Sequence, residues 1–159
     1  MVTIRNICIK DYKTICKIYE ELDNLHLETH PELFIKPSEN RIKEDVILSI
    51  IENPNYSIFV AEEGLKVIGF VECYIANSII HPALKTRSWI QIDNIAVTKE
   101  YQNKKIGNLL LEKTKEWAKE KNISRIELTA YSFNLNTIKF YEKNGFNELS
   151  KKMTLDLLD

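Results

Sequence analysis

The sequence is poor in the residues that define special structural classes. It contains three cysteines, four glycines and four prolines among 159 residues. An odd number of cysteines without CxxC spacing excludes a disulfide framework and predicts free thiols in a reducing cytoplasm. With 44% hydrophobic and 28% charged residues, the composition also excludes a disordered, collagen-like or coiled-coil chain.

The sequence also lacks a long apolar run and a metal-binding pattern. No stretch approaches the roughly 20 apolar residues that a membrane helix needs, and residues 1–10 lack the apolar core of a secretory signal. We therefore expect a cytoplasmic protein without a membrane partner. The histidines His26, His30 and His81 do not have the spacing of metal ligands, so we expect no metal site.

The formal net charge of −1 hides an uneven distribution along the chain. Residues 1–53 contain ten acidic and seven basic residues, a net charge of −3, whereas residues 98–159 contain nine and twelve, a net charge of +3. Scattered surface charges would give this pattern, and so would two half-sites, one for a cation and one for an anion. The basic residues of the last segment alternate with glutamates without an aromatic stripe, so we expect no nucleic-acid partner.

Apolar periodicity predicts a single α/β domain over residues 1–159, with the element order β-α-α-β-β-β-α-β-α-β. Strands are predicted at residues 2–4, 56–62, 66–75, 89–97, 125–129 and 146–157. Helices are predicted after Asp11 as N-cap, from Pro37, from Ile106 and over residues 135–144. The predicted inner face of the third helix comprises Ile106, Leu109, Leu110, Trp117 and Ala118. The strand–helix–strand unit around this helix implies a parallel pair of strands.

The segment after Val97 has the composition of an anion site. Three lysines (Lys99, Lys104 and Lys105) follow the strand, and Gly107 lies in the first turn of an amphipathic helix. The first N–H groups of a helix lack intrahelical partners and bind phosphate, and a glycine permits close approach of a ligand. An ordinary solvated strand-to-helix turn has a similar composition, so both interpretations stay open on these residues alone.

Two motifs follow in this half of the chain: residues 102–107 read QNKKIG, and residues 134–146 read NLNTIKFYEKNGF. Together they resemble motifs of the GNAT (Gcn5-related N-acetyltransferase) superfamily. Gln102 and Gly107 match its cofactor motif Arg/Gln-x-x-Gly-x-Gly/Ala. Lys105 replaces the first glycine, which would weaken cofactor binding if the family geometry needs a small residue at this position. We expect instead an unstrained backbone there, with the side chain pointing outwards or reaching a phosphate. The second family motif is Asn-x-x-Ala-x-x-Phe-Tyr-x-x-x-Gly-Phe. This chain matches it at Asn134, Phe140, Tyr141, Gly145 and Phe146, with Thr137 in place of the alanine.

The resemblance implies a GNAT-like α/β fold, with a mixed central sheet flanked by helices and a splay between two parallel central strands. It implies that acetyl-CoA binds at this splay, with its pantetheine arm along residues 95–97 and its pyrophosphate at the amides of residues 102–108. Asn134 is implied near the pantetheine or thiol end, although by sequence it is an equally good helix N-cap. The implied cofactor-binding residues are Ile95, Ala96, Val97, Gln102, Asn103, Lys104, Lys105, Ile106, Gly107, Asn108, Asn134 and Tyr141.

The resemblance further implies transfer of an acetyl group to a primary amine by direct attack, through a tetrahedral intermediate. Tyr141 is the implied acid that protonates the leaving thiolate. Its position in a helix beside Phe140 is also typical of an aromatic residue packed in the core. An ammonium group has no lone pair, so a base must remove a proton. Asp93 is the first candidate for this base, and Glu72 or a water chain is the alternative.

The acceptor is expected to be a small-molecule or peptide amine. Residues 20–34 contain five acidic residues and no lysine or arginine, which suits a cation. The candidate acceptor-binding residues are Glu28, Glu72 and His81. Many relatives in the superfamily are dimers, so a homodimer stays open. A non-catalytic acyl-CoA-binding or sensing module is the alternative function.

Overall fold

A computed structural model describes residues 1–157, with five strands and four α-helices among them. The strands are β1 (Val2–Asn6), β2 (Tyr56–Glu63), β3 (Lys66–Asn77), β4 (Ser88–Val97) and β5 (Ile126–Leu128). The helices are α1 (Tyr12–Thr29), α2 (Glu44–Glu52), α3 (Ile106–Glu120) and α4 (Leu135–Lys143). The chain forms two compact units, Met1–Leu128 and a second unit that begins at Thr129. Within the described part of the chain, no helix combines the length and apolarity needed to cross a membrane.

The strands of the first unit form one mixed sheet in the order β1-β2-β3-β4-β5. Neighbouring strands from β1 to β4 are antiparallel, and β4 pairs with β5 in parallel. This confirms the predicted α/β class and the parallel pair on either side of α3. The intervening helix makes this arrangement possible, because two parallel strands need a long crossover connection.

Both faces of the sheet are covered by helices. Ile58 and Val60 on β2 belong to a buried cluster with residues of α1 and α2. The intervening residue, Phe59, points to the other face and meets Trp117 of α3, with ring centres 6.1 Å apart. Successive side chains of a strand face opposite sides, so burial on both sides explains why β2 and β3 have apolar runs rather than strict alternation.

In the first unit, two local predictions were wrong and one was confirmed in part. The second helix begins at Glu44 rather than at Pro37, because two acidic residues in its first turn favour the helix N-terminus there. Leu109 is 42% exposed, and Leu111 is buried in its place. Asp11 is the N-cap residue of α1, as predicted, but its side chain makes no cap hydrogen bond; it is buried and forms an ion pair with Arg5 at 2.7 Å.

The second unit contains α4 with defined caps at both ends. The side chain of Asn134 accepts a hydrogen bond from the Thr137 amide at 3.3 Å, which confirms the N-cap alternative. At the other end Gly145 has φ +88°, and Phe146 N–H donates to the Tyr141 carbonyl, as in a Schellman cap. The strand predicted over residues 146–157 is wrong, because this segment has no regular secondary structure and does not join the sheet.

Candidate active site

A β-bulge on β4 sets the position of Asp93. Glu72 of β3 lies opposite Asn94, and Cys73 lies opposite Ile92, so Asp93 is an extra residue on β4. A bulge bends its strand and changes the direction of a side chain. Asp93 is exposed and lines a cleft next to this part of the sheet.

Glu72 of β3 is buried, with 8% exposure. Its carboxylate accepts hydrogen bonds from the hydroxyls of Tyr19 on α1 and Tyr56 on β2, and from Asn94 Nδ2 at 2.6 Å. Burial, together with the nearby Glu72, raises the pKa of both tyrosines, so their hydroxyls remain protonated donors. Three donors satisfy the buried carboxylate within the protein itself.

Arg41 lies between α1 and α2 and reaches the same cluster. It donates from Nη1 to Asp23 Oδ1 at 2.6 Å and from Nη2 to Asn94 Oδ1 at 3.1 Å. Its Cζ atom lies 5.0 Å from the centre of the Tyr19 ring, which is within the range of a cation–π contact. The guanidinium therefore has three contacts, on α1 and β4.

These residues surround an open cleft of ≈ 410 Å³. Its lining comprises Tyr19, Arg41, Ile42, Lys43, Val46, Glu72, Asp93 and Asn94. Partial burial and the charge of Glu72 raise the pKa of Asp93, against the opposing effect of Arg41. A carboxyl with a raised pKa in a cleft is the kind of group that accepts a proton from a substrate.

Two of the predicted acceptor-binding residues lie outside this lining. Glu28 is exposed near the end of α1, and His81 is exposed in the loop between β3 and β4, where its Nδ1 accepts from the Ala83 amide at 3.1 Å. The geometry thus brings together Glu72 and Asp93, and it does not place Glu28 or His81 in the same cleft.

The parallel pair of strands opens beside Asp93. The pairing of β4 with β5 ends at Ile92 and Leu128, whereas β4 continues to Val97 in pairing with β3. Among the described residues, no strand pairs with the other edge of β4 beyond this point. An open strand edge presents N–H and C=O groups that pair with an extended ligand. Residues 95–97 are thus suited to bind an extended chain that contains amides.

The loop after β4 leads into the N-terminus of α3. Gln102 Nε2 donates to the Val97 carbonyl at 3.1 Å, and this contact ties the loop to the end of the strand. The Lys105 carbonyl accepts from Asn108 at 3.1 Å and from Leu109 at 3.3 Å. The amides before Asn108 therefore precede the helical hydrogen-bonding pattern, at the positive end of the helix dipole.

The backbone at Lys105 corrects the expectation of an unstrained conformation. Lys105 has φ +63°, in the left-handed region, and Asn103 has φ +62°. A side chain with a Cβ atom is disfavoured in this region, whereas asparagine tolerates it and glycine adopts it freely. The glycine of the GNAT motif therefore corresponds to a conformation that this chain adopts with a lysine.

Tyr141 and Asn134 both lie in the second unit. Tyr141 is buried at 8% exposure and contacts the rings of Phe140 and Phe146, with centroids 5.3 and 5.5 Å away. Burial raises the pKa of Tyr141 to about 12. Its hydroxyl therefore holds its proton at neutral pH, which a general acid requires.

Comparison with known proteins assigns the family. The profile of the Acetyltransferase (GNAT) family matches residues 19–146, which is most of the chain. The chain therefore belongs to the GNAT family of acetyltransferases.

The curated relatives align over part of their length. Streptothricin acetyltransferase A of Bacillus subtilis (strain 168) is 35% identical over 92 residues, covering 55% of this chain and 51% of that protein. The uncharacterized N-acetyltransferase MJ1207 of Methanocaldococcus jannaschii is 32% identical over 93 residues, covering 57% of this chain and 38% of that protein. The chain thus matches about half, or less, of the length of these relatives.

Solved structures share the fold at low identity. A tetramutant of the BH1408 protein from Bacillus halodurans has a TM-score of 0.88 at 20% identity, covering 98% of this chain and 99% of that chain. An aminoglycoside N-acetyltransferase, AAC(6')-Iy, in complex with CoA has a TM-score of 0.74 at 14% identity, covering 98% and 94%. These likenesses show the fold alone, and they confirm the GNAT-like mixed sheet.

Glu72, its three hydrogen-bond partners and Arg41 form a connected group, the cleft cluster. Sequence reasoning missed four of its residues: Tyr19, Arg41, Tyr56 and Asn94. Tyr19 fits the apolar face of α1, and Tyr56 fits the start of a strand, so each is explained without a site. Asn94 follows Asp93 directly, which is the only local signal that points to the cleft. Arg41 lies in a segment without regular secondary structure, and its contact with β4 depends on the folded chain.

Proposed function

We propose that this protein is an acetyl-CoA-dependent N-acetyltransferase that acts on a primary amine. The observation that supports this function most strongly is the coincidence of three features at one point of the sheet. The β4 edge opens after Ile92, the bulge presents Asp93 at that point, and the chain continues into the N-terminus of α3. Membership of the GNAT family is consistent with this arrangement.

The described residues fit the chemical groups of acetyl-CoA. The open edge at residues 95–97 suits the amides of a pantetheine arm. The Gln102 and Asn108 amides donate within the protein, to the carbonyls of Lys99 and Lys105. The amides between them, residues 103–107, with the side chains of Lys104 and Lys105, suit the negatively charged pyrophosphate. Acetyl-CoA supplies an acetyl thioester, whose carbonyl carbon is the electrophile.

Asp93 and Tyr141 have opposite roles in the proposed reaction. Asp93 accepts a proton from the ammonium form of the acceptor, directly or through water, and leaves a nitrogen lone pair for attack. The nitrogen attacks the thioester carbonyl carbon and forms the C–N bond of a tetrahedral intermediate, and it then loses its second proton to water. Collapse of the intermediate breaks the C–S bond, and the Tyr141 hydroxyl donates its proton to the leaving thiolate. Asp93 is the exposed carboxylate of the cleft lining and suits a cationic acceptor, in the same class as the small-molecule or peptide amines expected from the sequence.

A thiol-release assay with acetyl-CoA and a panel of amines, aminoglycosides and peptides tests the proposed function. We expect thiol release that depends on the amine and matches acetylated product mole for mole by mass spectrometry. Tight CoA binding without acetylation of any amine in the panel would instead support a non-catalytic acyl-CoA-binding module.

The variant Tyr141→Phe tests the acid. It retains the ring and its packing against Phe140 and Phe146, so CoA binding should remain nearly unchanged. Loss of a positioned acid should lower kcat by about 10²–10⁴-fold. Phe140→Leu, on the same helix, serves as the control for altered packing, and equal turnover of Tyr141→Phe and wild type would remove Tyr141 from this role.

A further inference from the structure

Glu72 is the most deeply buried acidic side chain of the cleft cluster, and the proposed reaction does not use it. Its carboxylate already accepts three hydrogen bonds, from Tyr19, Tyr56 and Asn94. Three of the about four lone-pair positions of this carboxylate are thus occupied from within the protein, which leaves little room for direct contact with the acceptor. Asp93 is exposed and lies at the β4 bulge opposite Glu72 and Cys73. It is therefore the carboxylate available to the acceptor.

Two of the three partners of Glu72 lead to one side chain, Arg41. Tyr19 donates its hydroxyl to Glu72 and presents its ring to the guanidinium at 5.0 Å. Asn94 donates from Nδ2 to Glu72 and accepts at Oδ1 from Arg41. Tyr56, the third partner, stacks on Tyr74 at 5.4 Å and belongs to a separate contact.

The orientation of the Asn94 amide depends on Glu72. A carboxylate only accepts hydrogen bonds, and a guanidinium only donates them. The amide nitrogen must therefore face Glu72 and the amide oxygen must face Arg41. Reversal of the amide would place two acceptors together on one side and two donors on the other.

We propose that Glu72 is a positioning residue of the acceptor cleft, which fixes Tyr19 and Asn94 and through them holds Arg41 in the cleft wall beside Asp93. This inference rests on the proposed function, because it assigns Arg41 to contact with the acceptor. A guanidinium has five N–H donors, so its contacts with Asp23 and Asn94 leave N–H groups for an oxygen atom of the acceptor.

The substitution Glu72→Gln tests this role in steady-state kinetics. The glutamine has a similar shape but lacks the charge and offers an N–H group where donors already converge. The acceptor KM should rise by about tenfold, as expected for the loss of one hydrogen bond to a charged group, with kcat within about threefold of wild type. Glu63→Gln is the matched control, since it makes the same change on a strand carboxylate at the far end of β2, outside the cleft lining, and its acceptor KM should stay near that of wild type.

The dependence on Arg41 is tested in a double-mutant cycle. Arg41→Ala should raise the acceptor KM, and adding Glu72→Gln to it should raise KM no further, because the second change acts through the first. A full additional increase in the double variant would overturn the proposal. A fall in kcat of Glu72→Gln as large as that of Asp93→Asn would also overturn it and would make Glu72 the base.

A second variant tests the same role if Glu72→Gln folds poorly, and a second measurement tests it if no acetylation is detected. Asn94→Ala breaks the hydrogen-bonded connection to Arg41 and leaves both the charge of Glu72 and the Tyr19 connection in place, so it should raise the acceptor KM by no more than Glu72→Gln does. The side-chain NMR signals of Arg41 should be resolved and slow to rotate in the wild type, and averaged in Asn94→Ala. Unchanged Arg41 signals would overturn the positioning role, whereas a wild type that acetylates no amine would overturn the proposed function alone.

Discussion

The cleft that contains Asp93 and the loop that enters α3 both adjoin the last residues of β4, yet they are built differently. The cleft consists of side chains from α1, α2, β3, β4 and the segment before α2, and Glu72 among them is buried. The loop consists of consecutive backbone amides, and Lys104 and Lys105 beside them are exposed. One region brings distant residues together, and the other uses a single stretch of chain.

This difference matches the chemistry that each region is proposed to perform. Removal of a proton requires a carboxylate in a partly desolvated setting, where charges interact strongly and shift pKa values. Binding of a pyrophosphate requires N–H groups and positively charged side chains. The contribution of exposed charged side chains to the binding free energy is modest and is screened by salt. The two regions should therefore respond differently to substitution.

The largest expected effect separates the regions by turnover. Asp93→Asn retains the size of the side chain but cannot accept the proton, so kcat should fall by about 10²–10⁴-fold. CoA affinity, measured by isothermal titration calorimetry, should stay within about twofold of wild type, because Asp93 is not part of the loop.

Glu63→Gln provides a control for Asp93→Asn, since Glu63 is a strand carboxylate at the far end of β2. Its turnover should match that of wild type. If Asp93→Asn instead weakened CoA binding and left kcat unchanged, the division between the two regions would be wrong.

A smaller effect is expected from removal of the loop charges. The double variant Lys104→Ala/Lys105→Ala should weaken CoA binding by about three- to tenfold at low salt, with a smaller difference at high salt. The acceptor KM should remain unchanged. Lys119→Ala, at the opposite end of α3, is the matched control and should bind CoA as the wild type does.

The smallest effect concerns stability rather than activity. Lys105 has φ +63°, a conformation that glycine adopts without the clash of a Cβ atom. Lys105→Gly should raise the free energy of unfolding by about 0.5–1 kcal/mol in urea denaturation. Lys104→Gly is the control, because Lys104 does not have a positive φ, and it should leave the protein equal or less stable.

The same contrast explains what the sequence predicts well. The loop, Gly107 and the start of α3 are contiguous, so local periodicity and a short motif locate them. Asn134 and Gly145 act within one helix and are equally local. The parallel pairing of β4 and β5 follows from the helix between them.

The cleft depends on features that no local pattern contains. The bulge at Asp93 is a mismatch between two strands that are separated by the loop from residue 78 to 87. Whether Glu72 faces the core or the solvent depends on this register, since a shift of one residue reverses the faces of a strand. Arg41 contacts Asn94, which is 53 positions away in the sequence. The sequence therefore predicted Asp93 and Glu72 as candidate bases but did not predict the residues that contact them.

The position of bound CoA tests the central division most directly. A crystal structure of the complex should show the pantetheine arm paired with residues 95–97 of β4 and the pyrophosphate at the amides of residues 103–107. The thiol should then lie at the mouth of the cleft that contains Asp93. CoA bound instead in the cavity between α2, β2 and α3, lined by Lys113, Trp117 and Lys121, would contradict this account.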